Sequence, residues 1–503
     1  KVQIRVITTK GNKSKGKFSL ELGKKLLTSY ENYFGIKYPL PKLDLIAIPD
    51  FAAGAMENWG AITFRETILL YDPKTSSTRT KQFIAEVISH EIAHQWFGNL
   101  VTMKWWNDLW LNESFATFMA TKFVDKFYPE WNLWDQFIED AMNNAMGLDS
   151  LKTTHPIDVK VNSPSEIREI FDAISYDKGG CVLRMLENYV GETNFRAGLK
   201  KYLSSFKYQN AEGQDLWNAI GKASKMPVTS MVNSWLTQPG FPRVNITQKN
   251  NTLTLKQDRF LKEPTPKTQK GLWQIPITYG LGKETTTKLL TKKSTTVKIP
   301  TSPGFVANIG RTGFYRVTYD DGILLDLKML VDQKQIPHVD RWAIQNDLFA
   351  SCVAGQEDVQ NYLDFSDAYF DEDSYLPQKN VANNLHFLAQ LTFFEDYNEE
   401  IRAYAINYFR KILSNLGWTP QKSDNHTDAF LRGFVILALG KLDDEQVLEQ
   451  ANIKFKEFLK NPSKLHPDIR EPIFSLVAWS GNKKTYSQLE SLYKKSKSME
   501  EKL

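Results

Sequence analysis

Two histidines stand four positions apart in this 503-residue chain, His90 and His94, with Glu91 directly after the first. On an α-helix, side chains four apart project side by side from one face. Two neutral imidazoles so placed offer two corners of a tetrahedral Zn2+ site. Glu91 is not needed as a ligand and can take the proton of a metal-bound water, which is the metalloprotease arrangement. With 7 histidines in the chain, the pattern H-E-x-x-H arises by chance about once in a few hundred such sequences. A catalytic zinc takes three protein ligands and keeps one position open, so a third ligand is expected from a neighbouring element. Glu113 follows His94 after 18 intervening residues. Its neighbours Trp110, Leu111 and Phe115 are apolar, a setting in which a solvated charge is out of place. Two imidazoles and one carboxylate suit zinc, with cobalt or manganese as alternatives.

The elements that must position these groups can be read on either side. Phe83 to Asn99 reads as a helix with Phe83, Val87, His90 or Glu91, and His94 on one stripe, ended by Gly98 as a left-handed cap. The following LVTMKWWNDLWLNESFATFMATKF turns and returns antiparallel. There Asn107 or Asp108 is expected to cap a second helix, and Ala116 and Ala120 to let the two helices approach. Trp96, Trp105, Trp106 and Trp110 are expected to pack as core around them. Upstream, KVQIRVIT reads as a strand, Phe18 to Phe34 as a helix, and Leu43–Ile48 and Ile62–Leu70 as strands. Between the last two lies FAAGAMENWGAITF, Phe51 to Phe64, a small apolar loop with one carboxylate, Glu57. Ser163-Pro164-Ser165-Glu166 reads as a capping box with proline at the first helical position.

After Gln238-Pro239-Gly240-Phe241-Pro242 the texture changes. VNITQ, TLTLKQ, WQIPITYGL, TTTKLL, STTVKIP and FYRVTY are short, β-branched and alternating, the pattern of a β-sandwich of about 80 residues. From about Gly322 helices with short connections run on, as in an irregular α-solenoid. The expected fold is a multidomain α+β chain: a mixed α/β domain over 1–240, a small β-sandwich over 241–321 and an α-helical, solenoid-like domain over 322–503.

Composition excludes several classes. At 42% hydrophobic and 24% charged, with a net charge of +5, the chain carries no basic run that would mark a nucleic-acid surface. No run of 18 apolar residues proposes a membrane span, and the first residues lack the apolar core of a signal peptide. The 2 cysteines, Cys181 and Cys352, are no disulfide framework; two buried thiols in a reducing compartment are expected. Sequons at Asn245, Asn250 and Asn425 carry little weight, because a fourth at Asn112 adjoins the expected metal ligand.

HEIAHQWFGNLVTMKWWNDLWLNES, preceded by GAMENWGAITFRE, resembles the zinc aminopeptidases of the aminopeptidase N group, most of all their archaeal tricorn-interacting and puromycin-sensitive branch. The resemblance is very specific over residues 51–118 and looser in the helical tail. It implies a thermolysin-like catalytic domain with one Zn2+ per chain on His90, His94 and Glu113, and Glu91 as general base. Tyr176, in AISYDKGGCVL, would hydrogen-bond the oxyanion. Glu57 would bind the free α-amine of a peptide substrate. Gly54 and Ala55 would keep the cleft wall low, and Met56 and Asn58 would line the pocket for the first residue. It further implies a cytoplasmic enzyme with a functional link to a proteasome-like or tricorn-type protease, and a helical tail arching over the cleft. Chains of this family usually begin with another β domain that adds a polar residue to the amine site. Lys1 looks like the opening of the catalytic domain itself and the tail looks short, so the chain is expected to be a fragment or processed product.

Three other readings compete. A zinc endopeptidase of thermolysin type shares the histidine motif but has no free amine for Glu57 to hold. A bifunctional epoxide hydrolase–aminopeptidase typically shows a second glycine where Ala55 stands. A catalytically impaired fragment acting as a binding module would have no need of intact His90, Glu91, His94, Glu113 and Tyr176.

Overall fold

A computed structural model describes residues 1–263, 271–281, 284–298, 305–496 and 499–502. The alternating opening run forms β1 (Gln3–Ile7), and the helically spaced run after it forms α1 (Lys17–Phe34). α1 stops at Gly35, whose φ of +67° suits glycine. β2 (Lys42–Ile48) pairs in parallel with β1 and with β4 (Ala61–Arg65). The two-residue β3 (Ala55–Met56) closes the edge antiparallel to β4, giving the order β1-β2-β4-β3. The strand expected over Ile62–Leu70 ends at Arg65 and tightens into a 3₁₀ turn over Glu66–Ile68. Leu69 and Leu70 both donate their N–H groups to the Glu66 carbonyl, so the backbone here bonds locally and not to a neighbouring strand.

α1 and α2 (Thr78–Ala93) pack against this sheet and on each other, and after β5 (Val101–Met103) α3 (Trp110–Phe127) packs on α2. Then come α4 (Leu133–Phe137), α5 (Asn143–Asp149), α6 (Gly179–Val190) and α7 (Glu192–Phe206). β6 (Gln209–Ala211) pairs in parallel with β5, and α8 (Gly213–Ser224) and α9 (Val228–Leu236) complete the region. The capping box at Ser163 forms by half and starts a 3₁₀ helix, Pro164–Ile170. The Ser163 hydroxyl donates to Glu166 at 3.1 Å, and Glu166 accepts from the Asn162 N–H at 2.8 Å. The Ser163 side chain accepts from no helix N–H, so the first-turn donors go without the cap that would favour an α-helical start.

The β-rich stretch forms β7 (Pro242–Lys249), β8 (Thr252–Arg259), β9 (Ile275–Leu281), β10 (Glu284–Leu290), β11 (Ser294–Lys298), β12 (Val306–Ala307) and β13 (Arg316–Tyr319). They build two sheets, β11-β8-β7-β13 and β10-β9-β12. Alternate residues Val244 and Ile246, Leu253 and Leu255, and Ile275 and Ile277 are buried, as the two inner faces of a sandwich require. Ile299 and Pro300, the end of the STTVKIP run, lie outside the described residues.

The rest is helical: α10 (Asp321–Asp332), α11 (His338–Val353), α12 (Val359–Ser366), α13 (Tyr375–Leu391), α14 (Asn398–Leu416), α15 (Asp428–Lys441), α16 (Glu445–Lys460), α17 (Arg470–Trp479), α18 (Lys483–Lys495) and α19 (Met499–Lys502). Polar ties fasten it to the first region. His338 meets Asp135 at 2.8 Å, buried Glu139 accepts from Trp342, Asn380 and Asn383, and Asp468 accepts from the Thr78 N–H. Among the described residues no helix is long and apolar enough to cross a membrane. Both cysteines are free thiols; Cys181 is buried, whereas Cys352 is only half-buried, because its Sγ reaches the Asp358 carbonyl near the surface.

Candidate active site

α2 buries Ile84, Ala85, Ile88 and Ile92. The stripe expected through Phe83, Val87 and the histidines runs beside this core face. Phe83 is 52% exposed, and Val87 and His90 are half-buried. The metal-type motif lies where this exposed face meets the core: His90 is half-buried, whereas Glu91 and His94 are buried. The helix ends at Ala93 with His94 as its cap, not at Gly98. The reason is local: His94 turns its Nδ1 to the Phe97 carbonyl, 3.0 Å away, and the chain tightens there. Gly98 has φ +124° and donates its N–H to Val101, outside the left-handed cap geometry. Because a carbonyl only accepts, His94 donates from Nδ1, and its neutral form keeps the lone pair on Nε2.

Glu113 lies in the first turn of α3, where a negative charge suits the helix dipole. Neither Asn107 nor Asp108 caps that helix. Both lie in a 3₁₀ turn, Trp106–Asp108, and the Asn107 amide is spent on Asp158 at 3.2 Å. Ala116 and Ala120 are buried as expected. Of the four tryptophans, Trp96 and Trp110 are core, and Trp110 stacks on Trp217 at 5.2 Å. Trp105 is 53% exposed, its Nε1 bonded to the Val161 carbonyl, and Trp106 packs on a separate small cluster of Leu109, Val161 and Ile170. The turn between α2 and α3 is too short of core to cover all four. Asn112, the residue of the fourth sequon, is buried and is no glycan acceptor.

The two elements bring three donor atoms together. His90 Nε2 and His94 Nε2 are 3.0 Å apart, and each lies 3.4 Å from Glu113 Oε2. For ligand bonds of about 2.0–2.2 Å at tetrahedral angles, donor atoms sit about 3.3–3.5 Å from one another. The observed edges fit that size. Glu91 is buried, and its Oε2 has no hydrogen-bond partner. Burial first, then the neighbouring Glu57 and Glu113, push its carboxyl up to about 8. Burial works to lower the pKa of His94, but the carboxylates of Glu113, Glu57 and Glu91 overcome it and hold the imidazole up at about 10. The pocket carries more carboxylate charge than its own groups settle, and a divalent cation on these donors would settle it.

Tyr176 sits in a π-helical turn, Ile174–Lys178, ahead of α6. Its ring lies 6.3 Å from that of His90 and nearly parallel at 12°. Burial and then Glu113 raise its phenol pKa far above the ordinary range, so the O–H stays a donor. The turn is held from two sides. Asp172 accepts the N–H groups of Ile174 and Ser175, and Ser114, beside Glu113, donates to the Ser175 carbonyl at 2.6 Å. Gly179 is needed for that approach, since a Cβ there would lie 1.8 Å from Ser114 Oγ.

Glu57 follows β3 and is half-buried. Its charge registers on His90, Glu91, His94 and Tyr176 alike, so it belongs to the same pocket. Gly54, Met56 and Asn58 are exposed and Ala55 is half-buried. Asn58 donates back along the hairpin to Thr63 Oγ1 at 3.2 Å. Arg65, from β4, clasps the loop through the carbonyls of Phe51 and Ala52. Gln95 and Asn99 both donate to the Glu57 carbonyl, at 3.1 and 2.8 Å. Sequence reading passed over Arg65, Gln95, Asn99, Ser114 and Gly179; the one signal available was a pair of amides following a metal-type motif directly.

The description "Peptidase family M1 domain" matches residues 18–235, and "ERAP1-like C-terminal domain" matches residues 305–503. The chain is 39% identical over 515 residues to Aminopeptidase M1 of Arabidopsis thaliana, covering 98% of this chain and 58% of that protein. It is 40% identical over 504 residues to Probable aminopeptidase 2 of Sulfurisphaera tokodaii, covering 100% and 61%. It is 38% identical over 504 residues to Puromycin-sensitive aminopeptidase of Caenorhabditis elegans, covering 98% and 53%. The chain thus spans somewhat more than half the length of these curated relatives. With the two descriptions matched in order and relatives aligned along its whole length, the chain carries a peptidase family M1 domain followed by an ERAP1-like C-terminal domain.

Proposed function

We propose that the chain carries the catalytic centre of a zinc-dependent aminopeptidase, with residues 1–240 as the catalytic domain, 241–321 as a β-sandwich and 322–503 as a helical domain over the cleft. The observation that carries this reading is Glu91. Its buried, partnerless Oε2 stands one residue from His90, within a pocket whose His90, His94 and Glu113 atoms fit a metal. One Zn2+ per chain suits the donor set. When bound, zinc polarises a peptide carbonyl and makes a water acidic enough to deprotonate near neutral pH. Glu91 takes that water's proton and later hands it to the leaving amine. Tyr176, held as a neutral phenol, donates to the oxygen on which charge develops. Glu57 receives the substrate's ammonium, a strong pairing in a partly dry cleft, and so counts from the amino terminus. Gly54 and Ala55 leave the wall low beside it; Met56 and Asn58 border the space for the first side chain.

The names of the relatives, aminopeptidases from plants, an archaeon and a nematode, support the same reading. The substrates are peptides with a free amino terminus, and short products of a proteasome-like or tricorn-type protease would suit the site. Two free thiols fit a reducing, cytoplasmic compartment. The test is to strip the chain with a chelator and titrate zinc back while following release of aminomethylcoumarin from a leucyl conjugate. Recovery that saturates at one zinc per chain supports the reading; full activity in the stripped chain would end it.

A further inference from the structure

We propose that Gln95 and Asn99 are positioning residues that index the amine-recognising Glu57 to the metal-binding helix, an inference that rests on the reading of Glu57 just given. One carbonyl oxygen, that of Glu57, accepts two side-chain amides: Gln95 Nε2 at 3.1 Å and Asn99 Nδ2 at 2.8 Å. Both of its lone pairs are thereby used, and the peptide plane from which the Glu57 side chain projects is set. Both amides come from the turn after α2, which is itself locked to His94 by the Nδ1–Phe97 carbonyl bond. Gln95 Nε2 also donates to the Glu91 carbonyl at 3.1 Å. One amide thus ties the backbone of the general base to the backbone of the amine receptor.

The loop is exposed on both sides of Glu57, at Met56 and Asn58, so these bonds, and not packing of its neighbours, tie that carbonyl to the helix. Gln95 is 1% exposed, and its Oε1 has no hydrogen-bond partner. The opposite orientation of the amide would set that oxygen against two carbonyls. The side chain therefore keeps a buried, unsatisfied acceptor in order to aim its NH2 at Glu57 and Glu91. A buried group left unsatisfied in this way calls for a reason beyond packing, and positioning supplies one.

Calorimetric binding to the zinc-loaded 503-residue chain tests this with two probes, leucine hydroxamate and its analogue lacking the amine, 4-methylpentanohydroxamate. The ratio of their Kd values reads the amine contact alone, because both present the same metal-binding group. Asn99→Ala, Gln95→Met and the double variant are each expected to lower the preference for the amine, the Kd of the amine-free probe divided by that of leucine hydroxamate, about tenfold or more, since misplacement by about 1 Å costs on the order of 100-fold, while the Kd of the amine-free probe stays within about twofold. An unchanged ratio in the double variant overturns the proposal. So does equal weakening of both probes, which marks a merely structural role. A parent chain that does not prefer the amine refutes the reading of Glu57 itself and is thereby told apart from a failure of positioning. Asn99 is half-buried, so its variant preserves the test if a change at buried Gln95 impairs folding.

Discussion

Gly179→Ala tests whether the contact between α3 and the Tyr176 turn sets the active geometry. A Cβ at 179 would stand 1.8 Å from Ser114 Oγ and 2.7 Å from Ser114 Cβ. Non-bonded carbons rest about 3.5–4.0 Å apart, so the two elements must part by about 1 Å. Alanine gains about 1 kcal/mol in helix propensity over glycine. Overpacking costs about 1–3 kcal/mol, and losing the Ser114–Ser175 hydrogen bond costs about 1 kcal/mol more. The net is a destabilisation of about 1–3 kcal/mol, readable as a lowered urea midpoint. The effect on turnover is larger. Ser114 adjoins Glu113, and Ser175 adjoins Tyr176, so the phenol moves relative to the metal ligand; at about 1 Å that costs on the order of 100-fold in kcat. Ser114→Gly removes both clashing atoms, and the double variant Ser114→Gly with Gly179→Ala is expected to regain part of the loss. Gly179→Ala with parental kcat, or a double variant no better than Gly179→Ala alone, would refute the reasoning.

Further outcomes follow from the same structure. Glu91→Gln should keep zinc by metal analysis yet lose about 10²- to 10⁴-fold in kcat, the usual worth of a general base, whereas Glu113→Gln should lose zinc during dialysis against a weak chelator. Asp347 accepts from Arg311 at 2.6 and 2.8 Å and from Arg316 at 2.8 Å in the core; Asp347→Ala leaves buried cations unpaired and should cost about 3–5 kcal/mol, seen as a lowered denaturation midpoint. His426 stacks on Trp131 at 4.7 Å and meets Gln82 at 2.7 Å, tying α2 to the helical region. Burial, then Lys81, lower its pKa to about 4. The folded chain therefore takes up this proton less readily than the unfolded one. Stability from this group is full above pH ~6.5 and drains as pH falls toward 4. Allowing for partial exposure, about 1–2 kcal/mol is at stake, and His426→Phe should flatten the fall in Tm over that window.

Local periodicity made much of the fold legible. The four-residue step from His90 to His94 is a property of one helix, and the alternation in VNITQ and TLTLKQ is a property of single strands. Glu113 was reachable because a carboxylate amid Trp110, Leu111 and Phe115 invites an explanation. What was not legible is long-range. Spacing puts Phe83, Val87 and the histidines on one stripe of α2 but does not say which face is core, and only the packing of Ile84, Ala85 and Ile88 shows where the core lies. Trp105 reads as core by residue type, yet its indole N–H is bonded 56 residues away in sequence. Ile62–Leu70 reads as one strand because nothing in its composition reports the turn at Glu66. Gln95, Asn99 and Arg65 act on backbone carbonyls, which carry no residue identity, so no motif announces them.

The central claim is that Glu57 recognises a free amine beside a metal centre. Its most direct test is cleavage of a panel of aminoacyl-coumarins and of the same panel N-acetylated, by the zinc-loaded chain and by Glu57→Ala. The account predicts cleavage of the free-amine set alone, and its loss in Glu57→Ala with zinc still bound. Equal cleavage of the acetylated set would contradict it and point to an endopeptidase.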